Sequence, residues 1–364
     1  MSNVLIDARE SGTSTGRYID KLIEYLYKLN PIYEIIVVTK PHREEYIKTI
    51  APKFKVVISN YKEFTFDEQV AFKKQLEGLH PDLVHFGIVQ QPIRYRGKVV
   101  TTMHDLTTLR FINPSKNKAV FKFKQLVYAR VNKTVARKSL AIFTPSNYVK
   151  NDVVNYTHIN PDKITVTYES ADKISDEPAV VPGLKDKRFI MYIGRPQPHK
   201  NLGRLIEAFI NLRNDEPDLT LVLAGKKDVV YSQIEKNIES HGITNIVFTD
   251  FVSEGQLRWL YENCQAYVFP SLSEGFGLPG LEAMAHGAPV ISSNATCLPE
   301  IYGEAAEYFD PMNVKNMTTA IKKVITDDAL QQKLIALGYK QVAMYSWERM
   351  AQQTLRVYES ILGE

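Results

Sequence analysis

Short runs of β-branched and aliphatic residues alternate along the whole chain with longer segments whose apolar positions recur every three or four residues. The first kind reads as buried strands of parallel sheets, and the second as the helices that cover them. In the first half the pattern predicts strands over 3–7, 35–39, 55–59, 83–86, 99–103, 141–145 and 164–167, with helices that include 16–29, 66–79 and 118–136. In the second half it predicts strands over 189–193, 219–224, 246–248, 266–269 and 289–292, with helices over 202–213, 254–263 and 278–286. The predicted fold class is α/β, built as two units of the same three-layer kind.

Between the halves, residues 171–187 (ADKISDEPAVVPGLKDK) hold two prolines and a glycine and no sustained period, which marks a linker. The expected organisation is a first domain over 1–172, a linker over 173–187 and a second domain over 188–345. A C-terminal helix over 346–364 is expected to pack back on the first. A chain of 364 residues suits two domains. With 44% hydrophobic and 24% charged residues, it is neither disordered, collagen-like nor a coiled coil.

The start MSNVLIDARE places Asp7, Arg9 and Glu10 where a signal peptide needs its apolar stretch, and no apolar run reaches the length of a membrane-spanning helix. A cytoplasmic location is expected, with the inner face of the membrane as a further expectation. Cys264 and Cys297 are the two cysteines; free thiols are the preferred reading, with a disulfide between them left open. The net charge of +4 is unevenly spread, since residues 1–170 carry 26 Lys and Arg against 16 Asp and Glu. No acid lies between Leu106 and Asn151, whereas ten bases do. Such asymmetry points to an anionic partner. Phe121, Phe123, Leu126, Val127 and Tyr128 interleave with the lysines, so the stretch 110–138 suits peripheral contact with an anionic membrane. A helix with one buried face and one solvated cationic face is the alternative. No nucleic-acid module accompanies the charge.

The segment 270–289, PSLSEGFGLPGLEAMAHGAP, reads as a strand end, a glycine loop and a helix that begins beside Pro279 and stops at Gly287. Free N–H groups from about Gly277 to Gly280 form a seat for phosphate, because the unsatisfied donors and the helix dipole act together. Glu274 and Glu282 flank that seat. Carboxylates only accept hydrogen bonds, so they suit sugar or ribose hydroxyls, unless they are simply acids favoured at a helix start. In 189–209, FIMYIGRPQPHKNLGRLIEAF, Arg195 and Lys200 share one strand-to-helix loop. A guanidinium fork and an ammonium converging there can neutralise a diphosphate, although two solvated surface cations would look the same.

Together these segments resemble the retaining GT-B glycosyltransferases of family 4 (group 1), a class with bacterial mannosyl- and glucosyltransferases. The likeness rests on Glu274, seven residues, then Glu282; on Gly194-Arg195 with Lys200-Asn201; on VSEGQLRWLYENC; and on HDLTTLRF. It spans nearly the whole chain. It implies two Rossmann-like doubly wound domains facing across a cleft. It also implies that Arg195 and Lys200 hold the donor diphosphate, Glu282 the ribose, and Glu274 the transferred sugar, with the backbone of Phe276, Gly277 and Leu278 close by. The base would be read by the segment up to Val252, in which Asp250 stands where glycine is common.

On the first domain, Gly12 and Gly16 form a loop that admits the diphosphate or merely turns the chain, and the resemblance puts Gly16 on the donor side. It puts Arg17, His104 and Asp105 on the acceptor side, with His104 touching donor sugar or acceptor. Catalytic candidates are Glu274, His104, Arg195 and Lys200. The expected reaction is retaining transfer of a hexose, mannose from GDP-mannose first, to a glycan or lipid-linked hydroxyl. UDP-glucose as donor, a nucleotide-sugar epimerase of the same architecture, and a non-catalytic nucleotide-sugar or membrane-binding module are the alternatives. No cofactor or metal is expected: the eight histidines are scattered and no strand end carries a pair of acids. A GxGxxG fingerprint is absent, which disfavours a dehydrogenase.

Overall fold

The computed structural model describes residues 2–13, 15–111 and 118–363, and the side chains of all of these except 118–123. The chain divides into two units, Met1–Arg110 with Lys116–Glu169 and Ser346–Glu364, and Phe111–Ser115 with Ser170–Tyr345. Residues 173–187, predicted as a linker, pack within the second unit. Ile174 N–H donates to His286 Nε2 at 3.0 Å, Arg258 Nη1 to the Asp176 carbonyl at 2.9 Å, and Ala179 N–H to the Gly255 carbonyl at 2.9 Å. The prolines keep this stretch from forming an element, and side chains and neighbouring backbone pair with it at residues 174, 176 and 179 instead.

The first unit is a parallel sheet of β1 (Asn3–Asp7), β2 (Glu34–Thr39), β3 (Lys55–Ile58), β4 (Leu83–Phe86), β5 (Val99–Thr102), β6 (Ala141–Thr144) and β7 (Ile164–Val166). Its order is β3-β2-β1-β4-β5-β6-β7, which reverses between β1 and β4. Ile36, Val38, Phe72, Leu76 and Val84 fill one buried cluster, and Met103, Val135, Ile142, Val149 and Val153 another.

The helix Gly16–Leu29 buries Tyr18, Ile19, Leu22, Ile23 and Leu26, and the C-terminal helix Trp347–Leu362 packs against it. Tyr358 from that last helix reaches His85 Nδ1 at 2.5 Å, while His85 Nε2 meets Thr102 Oγ1 at 2.8 Å. Burial holds the His85 pKa down to about 3, so the ring is neutral and donates through one nitrogen only. Thr102 donates in turn to Tyr18 Oη at 3.1 Å. A chain of single donors therefore ties the C-terminal helix to β4 and β5.

One predicted helix is not regular. Within 66–79 the residues Glu68–Phe72 form a π-helical turn before the α-helix Lys73–Gly78. Glu68 is fully buried there and accepts from Arg9 Nη2 at 3.0 Å and from Gln90. An apolar period cannot signal a turn widened around a buried ion pair.

The second unit repeats the design with β8 (Phe189–Ile193), β9 (Thr220–Ala224), β10 (Ile246–Asp250), β11 (Ala266–Phe269), β12 (Val290–Ser293) and β13 (Ala306–Phe309). The order is β10-β9-β8-β11-β12-β13, all parallel, reversing between β8 and β11. Strand β13 escaped the apolar pattern, since its four residues AEYF include Glu307 and only its ends are buried. Cys264 and Cys297 are both buried and free.

Candidate active site

In an open parallel sheet, ligands bind beyond the carboxyl ends of the strands where the strand order reverses. In the second unit that point is flanked by the loops after β8 and β11, which carry Arg195 with Lys200 and Glu274 with Gly277. After β8 the chain makes a 3₁₀ turn, Pro198–Lys200, and Asn201 follows at φ 60. Asn201 Nδ2 donates to the carbonyls of Pro270 at 3.1 Å and Pro311 at 2.8 Å, and Leu272 N–H donates to the His199 carbonyl at 2.7 Å. These bonds join the two loops. As a result Lys200 Nζ lies 2.6 Å from Glu274 Oε1 and 5.5 Å above the Phe269 ring. Arg195, on the same loop as Lys200, is exposed.

The Glu274 loop is braced from a third loop, after β12. Glu274 N–H donates to Thr296 Oγ1 at 3.1 Å, and Cys297 Sγ–H to the Glu274 carbonyl at 3.3 Å. Phe276 turns inward onto Tyr345, ring centroids 5.5 Å apart, so its side chain is not offered to a ligand. Gly277 then caps the helix Leu278–Ala285 at φ 96. Its carbonyl accepts from Tyr302 Oη at 2.5 Å, and a Cβ placed there would lie 2.5 Å from that oxygen. The backbone conformation and the close tyrosine both require glycine at this position.

Glu282 stands one turn into the same helix, half-buried, and Tyr261 Oη donates to its Oε2 at 3.5 Å. The Glu282 carbonyl accepts from His286 Nδ1 at 2.8 Å, and the His286 ring stacks on Tyr261 at 5.6 Å. Since Glu282 lies beyond the first turn, attraction to the helix dipole does not explain it. Lys200 and Glu274 are thus in contact, while Glu282 is fixed separately by Tyr261.

Val252 precedes the helix Glu254–Asn263, whose N-cap Ser253 forms a capping box with Gln256. Just before it, at a register shift at the end of β10, Asp250 adopts φ 57. That left-handed conformation is the physical reason glycine suits this site. Aspartate fills it because Oδ1 accepts Lys227 N–H at 2.7 Å while its carbonyl accepts Gly225 N–H at 3.2 Å. Replacing Asp250 with Ala is expected to cost about 1–3 kcal/mol, for the lost acceptor and the strain together, as measured by urea unfolding. Asp250→Gly, which relieves the strain, is expected to lose less.

The first unit places its candidates around the ends of β1, β4 and β5. Gly16 opens the first helix, and a Cβ there would fall 1.7 Å from the Glu10 carbonyl, so the glycine is demanded by the chain's own packing. The loop is pinned further by Arg43 Nε on Ser11 Oγ at 2.9 Å and by Gly12 N–H on Asp20 Oδ2 at 3.2 Å. Ser14 lies outside the described residues. Arg17 is half-buried one residue into the helix.

Asp105 Oδ1 caps the following turn by accepting Thr107 N–H at 2.7 Å. His104 is held on both sides, Nε2 3.0 Å from the Gly87 carbonyl and Nδ1 3.3 Å from Glu169. Burial draws the His104 pKa down, but the Glu169 hydrogen bond and charge, with Gly87 and Asp105, outweigh it and the net shift is upward.

Asn201, Thr296, Tyr261, Tyr302 and Glu169 support the candidates; Asn201 and Tyr261 fall within motifs quoted from the sequence, but none of the five is given a role there. Only the unexpected left-handed residues at Asn201 and Thr296 carry a local signature, and that appears in the backbone alone. In the basic stretch the helix runs Lys118–Lys138, with Leu126 and Val127 exposed and Val135 and Ala136 buried. The apolar positions therefore do not form a single face along it. Ile112 to Asn117 and the side chains of Phe121 and Phe123 lie outside the described residues. Among the described residues no group of three or more His, Cys, Asp or Glu is placed to hold a metal ion, and no helix is long and apolar enough to cross a membrane.

Sequence profiles place this geometry among known proteins. The profile for glycosyl transferases group 1 matches residues 175–341, and that for glycosyltransferase family 4 matches 15–172. The serotype-specific mannosyltransferase WbdA of Escherichia coli is 32% identical over 73% of this chain and 34% of its own length. The chain thus spans about a third of that relative. The O-antigen chain mannosyltransferase B of Escherichia coli is 30% identical over 72% of this chain and 70% of its own. Among solved structures, sucrose-phosphate synthase from Thermosynechococcus elongatus superposes with a TM-score of 0.80 over 100% of both chains at 17% identity. Anabaena HepE in complex with UDP-glucose gives 0.75 over 99% of this chain and 100% of its own at 16% identity. At such identities these two structures establish the GT-B fold.

Proposed function

We propose that this chain, which belongs to the group 1 glycosyltransferases of family 4, moves mannose from GDP-mannose to a hydroxyl of a glycan or lipid-linked acceptor, with retention at the anomeric carbon. The observation that carries the reading is the Lys200–Glu274 contact, which brings a cation and a hydroxyl-binding carboxylate together where the strand order of the second sheet reverses. Arg195 and Lys200 neutralise the diphosphate, and the N–H groups at the start of the helix Leu278–Ala285 add to them. Glu274 accepts from hydroxyls of the transferred sugar and Glu282 from the ribose, while the Val252 segment meets the base. Mannose is preferred because the named relatives WbdA and mannosyltransferase B are mannosyltransferases.

The bond from the anomeric carbon to the leaving phosphate breaks as the acceptor oxygen bonds to the same face, and the acceptor proton passes to the departing phosphate. The acid-free stretch is read as the part that meets an anionic membrane surface. A second reading, with UDP-glucose as donor, is favoured by HepE's complex with that nucleotide sugar.

Incubation with each donor and a panel of hydroxyl acceptors separates these readings. GDP release with an α-mannosyl product is the expected result. UDP release with a glucosyl product selects the second reading, and an isomerised nucleotide sugar selects epimerisation.

A further inference from the structure

His104 ends the run after β5, and Glu169 follows β7. The ring's two nitrogens face oxygens that can only accept, the Gly87 carbonyl at 3.0 Å and the Glu169 carboxylate at 3.3 Å. A neutral imidazole has one N–H and would leave one of these contacts as lone pair against lone pair. Only the imidazolium satisfies both. Tyr18 closes against the ring edge-on at 5.0 Å, so the ring is held in that orientation.

The Glu169 side chain is 7% exposed, and a carboxylate so enclosed requires a partner. The exposed edge of His104 lines a cavity of about 250 Å³ together with Glu10, Gln90, Asp105 and Tyr128.

We propose that Glu169 is a positioning residue that keeps His104 as an imidazolium at the wall of this cavity, where it serves as a fixed cation and not as a proton acceptor. Both N–H groups are spent on the protein, so the ring offers its charge to negative charge arising in the cavity. It does not take the acceptor's proton. The proposal rests on the glycosyl-transfer reading only for its kinetic consequence.

The surrounding groups agree with a charged ring. Glu169, Asp105 and Glu10 are its acidic neighbours. His85 on β4 is neutral, and burial raises Tyr18 and Tyr128 far above their usual range. A group whose pKa is raised by its partner keeps its charge below that pKa and loses it as pH rises through it. With Glu169→Gln the burial remains and the favourable charge is gone, so the ring loses its proton at lower pH. The amide oxygen can still accept from Nδ1, which keeps the shape of the contact.

The test follows the ring nitrogens of His104 by NMR in the full chain, assigned by His104→Gln, alongside the pH profile of kcat/KM. The wild-type ring is expected to stay doubly protonated to higher pH than the ring in Glu169→Gln. The variant's kcat/KM is expected to fall about tenfold on the alkaline side of its own ring titration and to recover toward wild type as the pH is lowered. Glu169→Asp, which keeps the carboxylate, should restore the higher titration. A neutral His104 in the wild type, or one titration shared by wild type and Glu169→Gln, would overturn the proposal whatever the activity. A shifted titration with an unmoved kcat/KM profile would overturn the catalytic use of the charge.

Discussion

Lys200→Ala is expected to lower kcat by about a hundredfold while the chain stays folded. Lys200 is the cation held 2.6 Å from Glu274, and its removal has two effects. Charge growing on the leaving diphosphate loses a preorganised counter-charge in a partly enclosed site, where such contacts are worth more than in water. The Glu274 carboxylate is also left without its partner and repels the same diphosphate. Lys200→Ala combined with Glu274→Gln removes that repulsion, so the double variant should lose less than the two single losses multiplied together. Release of free nucleoside diphosphate reads the rates. A strictly multiplicative result would show that the two side chains act independently.

A large effect on stability is expected at Gly277, beside the donor-facing helix start. Alanine there must adopt φ 96, and its Cβ must lie 2.5 Å from Tyr302 Oη and 2.7 Å from Leu298 Cδ2. Left-handed backbone for a residue with a Cβ and overpacking against two buried side chains together cost about 2–4 kcal/mol. The damage falls on the first turn of the helix that offers its N–H groups, so donor affinity should fall with stability. Tyr302→Phe removes the nearest clashing atom, although it also removes the hydrogen bond to the Gly277 carbonyl. Urea unfolding of Gly277→Ala with and without Tyr302→Phe checks this: a smaller loss from Gly277→Ala in the phenylalanine background identifies the hydroxyl as the obstruction. An unchanged midpoint for Gly277→Ala would refute the packing argument.

Much of the architecture is legible in the residues because parallel strands are buried on both faces, and short aliphatic runs such as IIVV in β2 or LVLA in β9 fit that burial. The loops bearing Arg195, Lys200, Glu274 and Gly277 are legible for a related reason. Each follows such a run directly and carries charge and glycine where an ordinary turn needs neither together. What stayed hidden depends on contacts between distant parts of the chain. Glu169 has meaning only once β7 is beside β6 and β5, and Tyr302 only once its helix lies under Gly277.

The π-helical turn at Glu68–Phe72 carries a buried ion pair with Arg9, which no local period can report. Asp250 was legible as an oddity and became explicable only when its φ was seen. In the stretch 173–187, a sequence with no period still meets side chains from elsewhere at Ile174 and Asp176, contacts that no local pattern announces.

The central claim is that Arg195 and Lys200 recognise a diphosphate. It is tested most directly by calorimetric titration of the full chain with GDP and with GMP, in the wild type and in Arg195→Ala/Lys200→Ala. The expected result is a wild type that prefers the diphosphate by tenfold or more, roughly the worth of one charge-assisted contact, and a double variant in which that preference is gone. A preference for GDP that survives the loss of both cations would contradict the claim.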